Sequence, residues 1–194
     1  MNHFLPRSFF ARATPRVARD LLGKKLIRFI NGHILSGIIV ETEAYEITDP
    51  ACHAFRGKTI ANRALFETVG HAYIYFIYGN HFCLNVVARA NVCKAGGVLI
   101  RALEPVAGIE IMEQFRGTNT IKNLTNGPGK LAQAMHITKE LYGVDVTHKG
   151  PLYIVEDATA FSFSISTTGR IGISKAQALQ WRFYIKNNPH VSKQ

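Results

Sequence analysis

Cysteine is scarce in this chain: Cys52, Cys83 and Cys93 are the only three in 194 residues. Three irregularly spaced thiols cannot build a disulfide framework, nor supply the close, paired ligands of a structural zinc site, so a reducing, intracellular setting is expected. Cys83 alternates with apolar neighbours and reads as a small core residue. Acid is scarce too, with 13 Asp and Glu against 23 Lys and Arg, a net +10. Because 47% of the residues are hydrophobic, that excess belongs to a folding chain and not to a disordered tail, and polyanions are its natural partners. No apolar run approaches membrane-spanning length, so no membrane partner is expected. No repeat, linker or low-complexity tract divides the chain, and its length suits a single domain over residues 1–194.

The charge is uneven. Residues 1–40 carry Arg7, Arg12, Arg16, Arg19, Lys24, Lys25 and Arg28 against Asp20 alone. Such a stretch either neutralises phosphates or is a solvated basic face. It could also mimic a transit peptide, but Thr14-Pro15 reads as an N-cap with Pro at the first helical position, stopped at Gly23 before a strand. That strand, Lys25–Ile30, turns at Asn31-Gly32 into a long strand from about His33 to Tyr45. Residues 46–70 form a polar loop long enough to be functional. Ala72–Tyr78 and His81–Ala88 read as strands joined at Gly79-Asn80, which sets Tyr78 at a hairpin tip. Val98–Leu103 is a further strand, Pro105 is expected to open a helix to about Phe115, and Asn126-Gly-Pro-Gly-Lys130 leads into a second helix through Met135. Short strands near Leu152–Val155, Phe161–Ile165 and Arg182–Ile185 complete an α+β domain: a curved, mainly antiparallel sheet, flanking helices and a protruding β-hairpin.

Side chains alternate along a strand, so Glu41, Glu43 and Tyr45 share one face while Val40, Thr42 and Ala44 share the other. Paired carboxylates split acid and base duties in glycoside hydrolysis, although such pairs usually converge from different elements; the plainer reading is a solvated strand face. In the next hairpin Tyr73, Tyr75 and Ile77 face one way and Ile74, Phe76 and Tyr78 the other, with Tyr73 and Phe76 expected in the core. A large ring at an exposed tip, as at Tyr78, has little core to join and suits a wedge in a base stack. Asn85, on an otherwise apolar strand, either makes a structural bond or reads a base. Gly129-Lys130 lacks the glycine and hydroxyl residues of a triphosphate loop, yet a helix start with a nearby lysine can hold one backbone phosphate. The Pro-Cys-x-x-Cys element of zinc deaminases is absent.

In order along the chain, Glu41-Thr-Glu43-Ala-Tyr45, Tyr75-x-x-Tyr78-Gly79, Asn85, Arg101-Ala-Leu-Glu-Pro105 and Asn126-Gly-Pro-Gly-Lys-Leu131 resemble the alkyladenine (3-methylpurine) DNA glycosylases. The resemblance runs from about Leu5 to Ser192, closing with Arg182-Phe-Tyr-Ile185 and Asn188-Pro-His-Val-Ser192. It implies a base-excision-repair enzyme that flips 3-methyladenine, 7-methylguanine, hypoxanthine or ethenoadenine and hydrolyses the N-glycosidic bond, leaving an abasic site. On the matched positions it implies Glu43 as activator of the attacking water with Arg101 beside it. Tyr45, His53 and Tyr75 become the walls around the flipped base, Asn85 the group that disfavours guanine, Tyr78 the intercalating wedge and Lys130 a phosphate contact. No metal or organic cofactor is implied. The expected partner is double-stranded DNA with a damaged purine, met by a monomer in the cytoplasm or nucleoid of a bacterium or the nucleus of a eukaryote. In the loop after the first active-site strand, Thr59-Ile-Ala61-Asn62-Arg63 departs from the family's Thr-x-Arg-Asn. The rival reading is a non-enzymatic domain that binds distorted DNA or RNA.

Overall fold

The computed structural model describes residues 3–77, 79, 81–156 and 162–193. A short helix α1 (Arg7–Phe10) and α2 (Thr14–Asp20) precede the strands β1 (Lys25–Ile30) and β2 (His33–Glu46). The hairpin β3 (Ala72–Ile77) and β4 (His81–Val87) follows, then β5 (Gly96–Ala107), α3 (Ile109–Arg116) and α4 (Pro128–Ala134). The last strands are β6 (Leu152–Val155), β7 (Ile165–Thr168) and β8 (Arg182–Ile185). All eight belong to one antiparallel sheet in the order β3-β4-β5-β2-β1-β6, with β8 bridging β2 and β7. The α+β sheet architecture agrees with the expectation from sequence. Among the described residues no helix is long and apolar enough to cross a membrane.

β2 is the spine. It pairs with β1 near its start, with β8 through Glu41–Glu43, and with β5 along most of its length, slipping register between Ile39 and Thr42. Alternation then sorts its faces: Thr42 donates its hydroxyl to Ala18 O of α2 at 2.7 Å, while Glu41 and Glu43 both meet Arg101 of β5. Leu5, Phe10, Leu21, Leu26, Leu35, Ile39, Ile100 and Leu103 are fully buried and fix that packing.

Four local expectations are corrected. Pro105 does not open a helix; it stays in β5 opposite Gly37, where the ladder slips, a place that tolerates a missing N–H. The chain turns instead at Gly108, in the left-handed region at φ 71°, where a Cβ would meet Ile34 O at 2.8 Å, and α3 starts after it. Thr14 does not cap α2, because its hydroxyl donates to Ala88 O at 2.9 Å. Phe76 is 55% exposed, its ring against that of Phe82 on the paired strand. β7 covers Ile165–Thr168, and Phe161 lies outside the described residues.

The N-terminal cations are mostly occupied within the fold. Arg7 pairs with Asp145, Arg12 and Arg16 with Asp20 and Lys24 with Glu156, while Arg28 is buried and donates to Pro151 O at 3.1 Å. α2 also packs on the face of β2 opposite Glu41 and Glu43. The cations of α2 therefore lie on the side of β2 away from those carboxylates.

Candidate active site

Where the loop after β2, the β3–β4 hairpin, the start of α4 and a non-regular strap at 171–175 meet, they enclose a cavity of about 480 Å³. Tyr45, His53, Tyr75, Asn85 and Arg101 all line it, joined by Tyr73, Cys83 and Leu99. The His53 and Tyr75 rings meet edge to face with centroids 4.5 Å apart, too close for a base to slip between them, so they form one continuous wall. Tyr45 is held separately, its ring under the Arg170 guanidinium at 4.5 Å.

Glu43 does not itself line the cavity. It is fully buried behind three residues that do, and all three donate to it: Tyr45 Oη at 2.8 Å, Ile171 N at 2.7 Å and Arg101 Nη1 at 3.2 Å. Burial, and then the adjacent Glu43 carboxylate, push the Tyr45 hydroxyl far up, so it remains a donor. Arg101 also donates through Nε to Glu41 Oε1 at 2.9 Å. Its own burial disfavours charge, but Glu43 and Glu41 outweigh that and hold it protonated.

Glu41 belongs to a different set of contacts. It accepts from Arg182 Nε at 2.8 Å, Ser192 N at 2.7 Å and Ser192 Oγ at 2.9 Å, and is likewise fully buried. Burial would raise its carboxyl, yet Arg101, the Ser192 amide and Arg182 together keep it below the usual carboxylate range. Shared between Arg101 and Arg182 and bonded twice by Ser192, Glu41 is an anchor for two arginines.

His53 reaches Tyr73 Oη through Nδ1 at 2.8 Å, and burial lowers its tendency to charge. Asn85, in the cavity wall, is 5% exposed and donates to Tyr73 O across the hairpin at 3.3 Å. Lys130 is not in the wall; Pro128 and Gly129 of its helix are, and its Nζ donates to Asn126 Oδ1 at 2.8 Å. The hairpin ladder ends at the pair Ile77 and His81, and Tyr78 lies outside the described residues. In the departing loop, Asn62 holds the chain by donating to His53 O at 2.8 Å and Gly57 O at 3.0 Å, and Arg63 sits over the Tyr142 ring at 5.5 Å. Among the described residues no group of three or more His, Cys, Asp or Glu is placed to hold a metal ion.

A family model for methylpurine-DNA glycosylases matches residues 8–189. The chain belongs to that family. A relative from Carboxydothermus hydrogenoformans is 51% identical over 189 residues, covering 97% of this chain and 98% of its own. Relatives from Prosthecochloris aestuarii and Methanocella arvoryzae are 48% and 49% identical over 96% and 97% of this chain, and 90% and 96% of their own. All three are provisionally named 3-methyladenine DNA glycosylases.

Sequence reasoning missed the strap that borders the cavity. Ile171, Gly172, Ile173, Ser174 and Lys175 all line it, and Arg170 is buried beside it. The available signal was an arginine set against Ile-Gly-Ile inside an otherwise polar tract.

Proposed function

We propose that this chain excises alkylated and deaminated purines from duplex DNA by hydrolysis, with Glu43 orienting the attacking water and Arg101 beside it. The carrying observation is the junction of an aromatic wall, His53 and Tyr75, with a buried carboxylate that reaches the same cavity through Tyr45, Arg101 and Ile171. A volume near 480 Å³ falls in the usual small-ligand range and accommodates one purine. The rings attract a cationic alkylpurine by cation–π forces of about 0.5–2 kcal/mol. A carboxylate offers about four acceptor positions, and three are filled at Glu43, which leaves one for a water. That water is aimed at C1′, and the negative charge offsets the oxocarbenium charge that develops there. Asn85 disfavours the 2-amino group of guanine, Tyr78 fills the vacated stack and Lys130 contacts a phosphate.

Extrusion costs least for a base already weakened in pairing or stacking, which supplies part of the selectivity. The test is a duplex with a single hypoxanthine or ethenoadenine, incubated with the protein and then with alkali. Strand scission only after alkali is expected; strands that remain intact at high enzyme overturn the reading.

A further inference from the structure

We propose that Arg170 and Asp49 form a buried clamp that positions the catalytic carboxylate, so that Arg170 is a positioning residue for excision. This rests on the role of Glu43 given above.

The two side chains are both wholly buried and joined twice, by Arg170 Nη1 to Asp49 Oδ2 and by Nη2 to Oδ1 at 3.0 Å. The same guanidinium donates to Ala44 O of β2 at 2.9 Å and lies over the rings of Tyr45 at 4.5 Å and Trp181 at 5.6 Å. It thus joins three parts of the cavity: the loop after β2 through Asp49, the strand itself through Ala44, and the strap through its own backbone. The next residue, Ile171, is the one whose N–H donates to Glu43 Oε1 at 2.7 Å. A second donor to Glu43, the Tyr45 hydroxyl, belongs to the ring on which Arg170 rests. Two of the three donors around Glu43 are therefore held in place by one arginine.

A planar fork suits that task and an ammonium does not. Arg170 holds Asp49 with parallel bonds while keeping its flat face on Tyr45; a lysine keeps the charge but neither the fork nor the stack. The residues 169–181 form no helix or strand that could hold Ile171 by itself. Small misplacement of a catalytic group is enough to slow a reaction by about a hundredfold.

The experiment measures single-turnover excision of hypoxanthine, affinity for a duplex with an abasic analogue, and melting temperature for Arg170→Lys, Arg170→Gln, Asp49→Asn and the double variant Arg170→Gln/Asp49→Asn. Wild-type excision must be seen first, and its absence rejects the functional reading and not the clamp. Folded variants should lose about 10–100-fold in rate, with affinity within about threefold, and the double variant should lose no more than the worse single, the pattern of residues that act as a unit. Rates within twofold of wild type, a loss confined to binding, or additive losses overturn the clamp. Should the variants not fold, amide exchange in the wild type decides: protection at residues 171–175 matching that of β2 supports it, and exchange as a free loop overturns it.

Discussion

Replacing each glutamate of the Glu41-x-Glu43 pair by Gln separates a reacting carboxylate from an anchoring one. In Glu43→Gln the amide oxygen can keep the Ile171 donor, which turns the NH2 toward Tyr45 and Arg101. The Tyr45 hydroxyl can rotate to accept, but Arg101 cannot, so the change removes the negative charge and one bond while Arg101 keeps Glu41 at 2.9 Å. Excision should slow by about a hundred- to ten-thousand-fold, the usual cost of losing a general base. That equals about 2.7–5.5 kcal/mol of barrier at 1.36 kcal/mol per decade. Affinity for an abasic-analogue duplex should survive. Glu41→Gln instead removes the carboxylate that the buried Arg101 and Arg182 share, and Glu43 remains as a partner for Arg101 alone. Breaking a buried pair costs about 3–5 kcal/mol. For a chain of this size each kcal/mol moves the melting temperature by about 2–4 °C, so a fall of about 6–20 °C is expected. Single-turnover excision and melting curves on both variants decide. A stable, inactive Glu41→Gln beside a near-normal Glu43→Gln refutes the assignment.

Excision should be unaffected by EDTA, and borohydride should trap no protein–DNA adduct although Lys175 lines the cavity, because the proposed nucleophile is a water on Glu43; a trapped Schiff base contradicts the water mechanism. Tyr78→Ala should weaken binding to lesion or abasic-analogue duplex more than to undamaged duplex, by about 1–3 kcal/mol on the scale of ring–base stacking, and equal losses on both would make Tyr78 a structural residue. Asp145, bonded by Thr147 and Arg7, is held at about 2 against an ordinary 3.8 although its burial pulls the other way. Its folded pKa is depressed, so it stabilises the fold above the unfolded value and that contribution disappears as pH falls from 3.8 to about 2. Wild type should therefore exceed Asp145→Asn in denaturant stability by about 1 kcal/mol at pH 7, the low end because Arg7 is 41% exposed, and the two should converge near pH 2. Curves that stay parallel to pH 2 refute this.

What the sequence made legible is local and periodic. β1 and β6 occupy the expected residues because alternating apolar side chains and flanking turn residues act within a few positions. Alternation also placed Glu43 and Tyr45 on one face, and the structure brings Tyr45, His53, Tyr75, Asn85 and Arg101 to one cavity. Pro105 misled because the rule for helix starts ignores a neighbouring strand that slips register to tolerate it. Phe76 misled because its face meets the core at Ile74 and has left it one turn of the pleat further along, which hydrophobicity and alternation do not show. The larger gap is in charge. Lysines and arginines sum to a net excess, and in a one-dimensional tally each looks like a surface cation. Folded, Arg7 finds Asp145, Arg182 finds Glu41 and Arg170 finds Asp49, partners more than 100 residues away that no window along the sequence can pair. Arginines 101 and 182 end up buried on the two glutamates of β2 and Arg170 on Asp49 of the loop after it, each occupied by a carboxylate within the fold. Part of the basic composition therefore answers to the buried carboxylates Glu41, Glu43 and Asp49, and only the folded positions separate those arginines from the cations left at the surface.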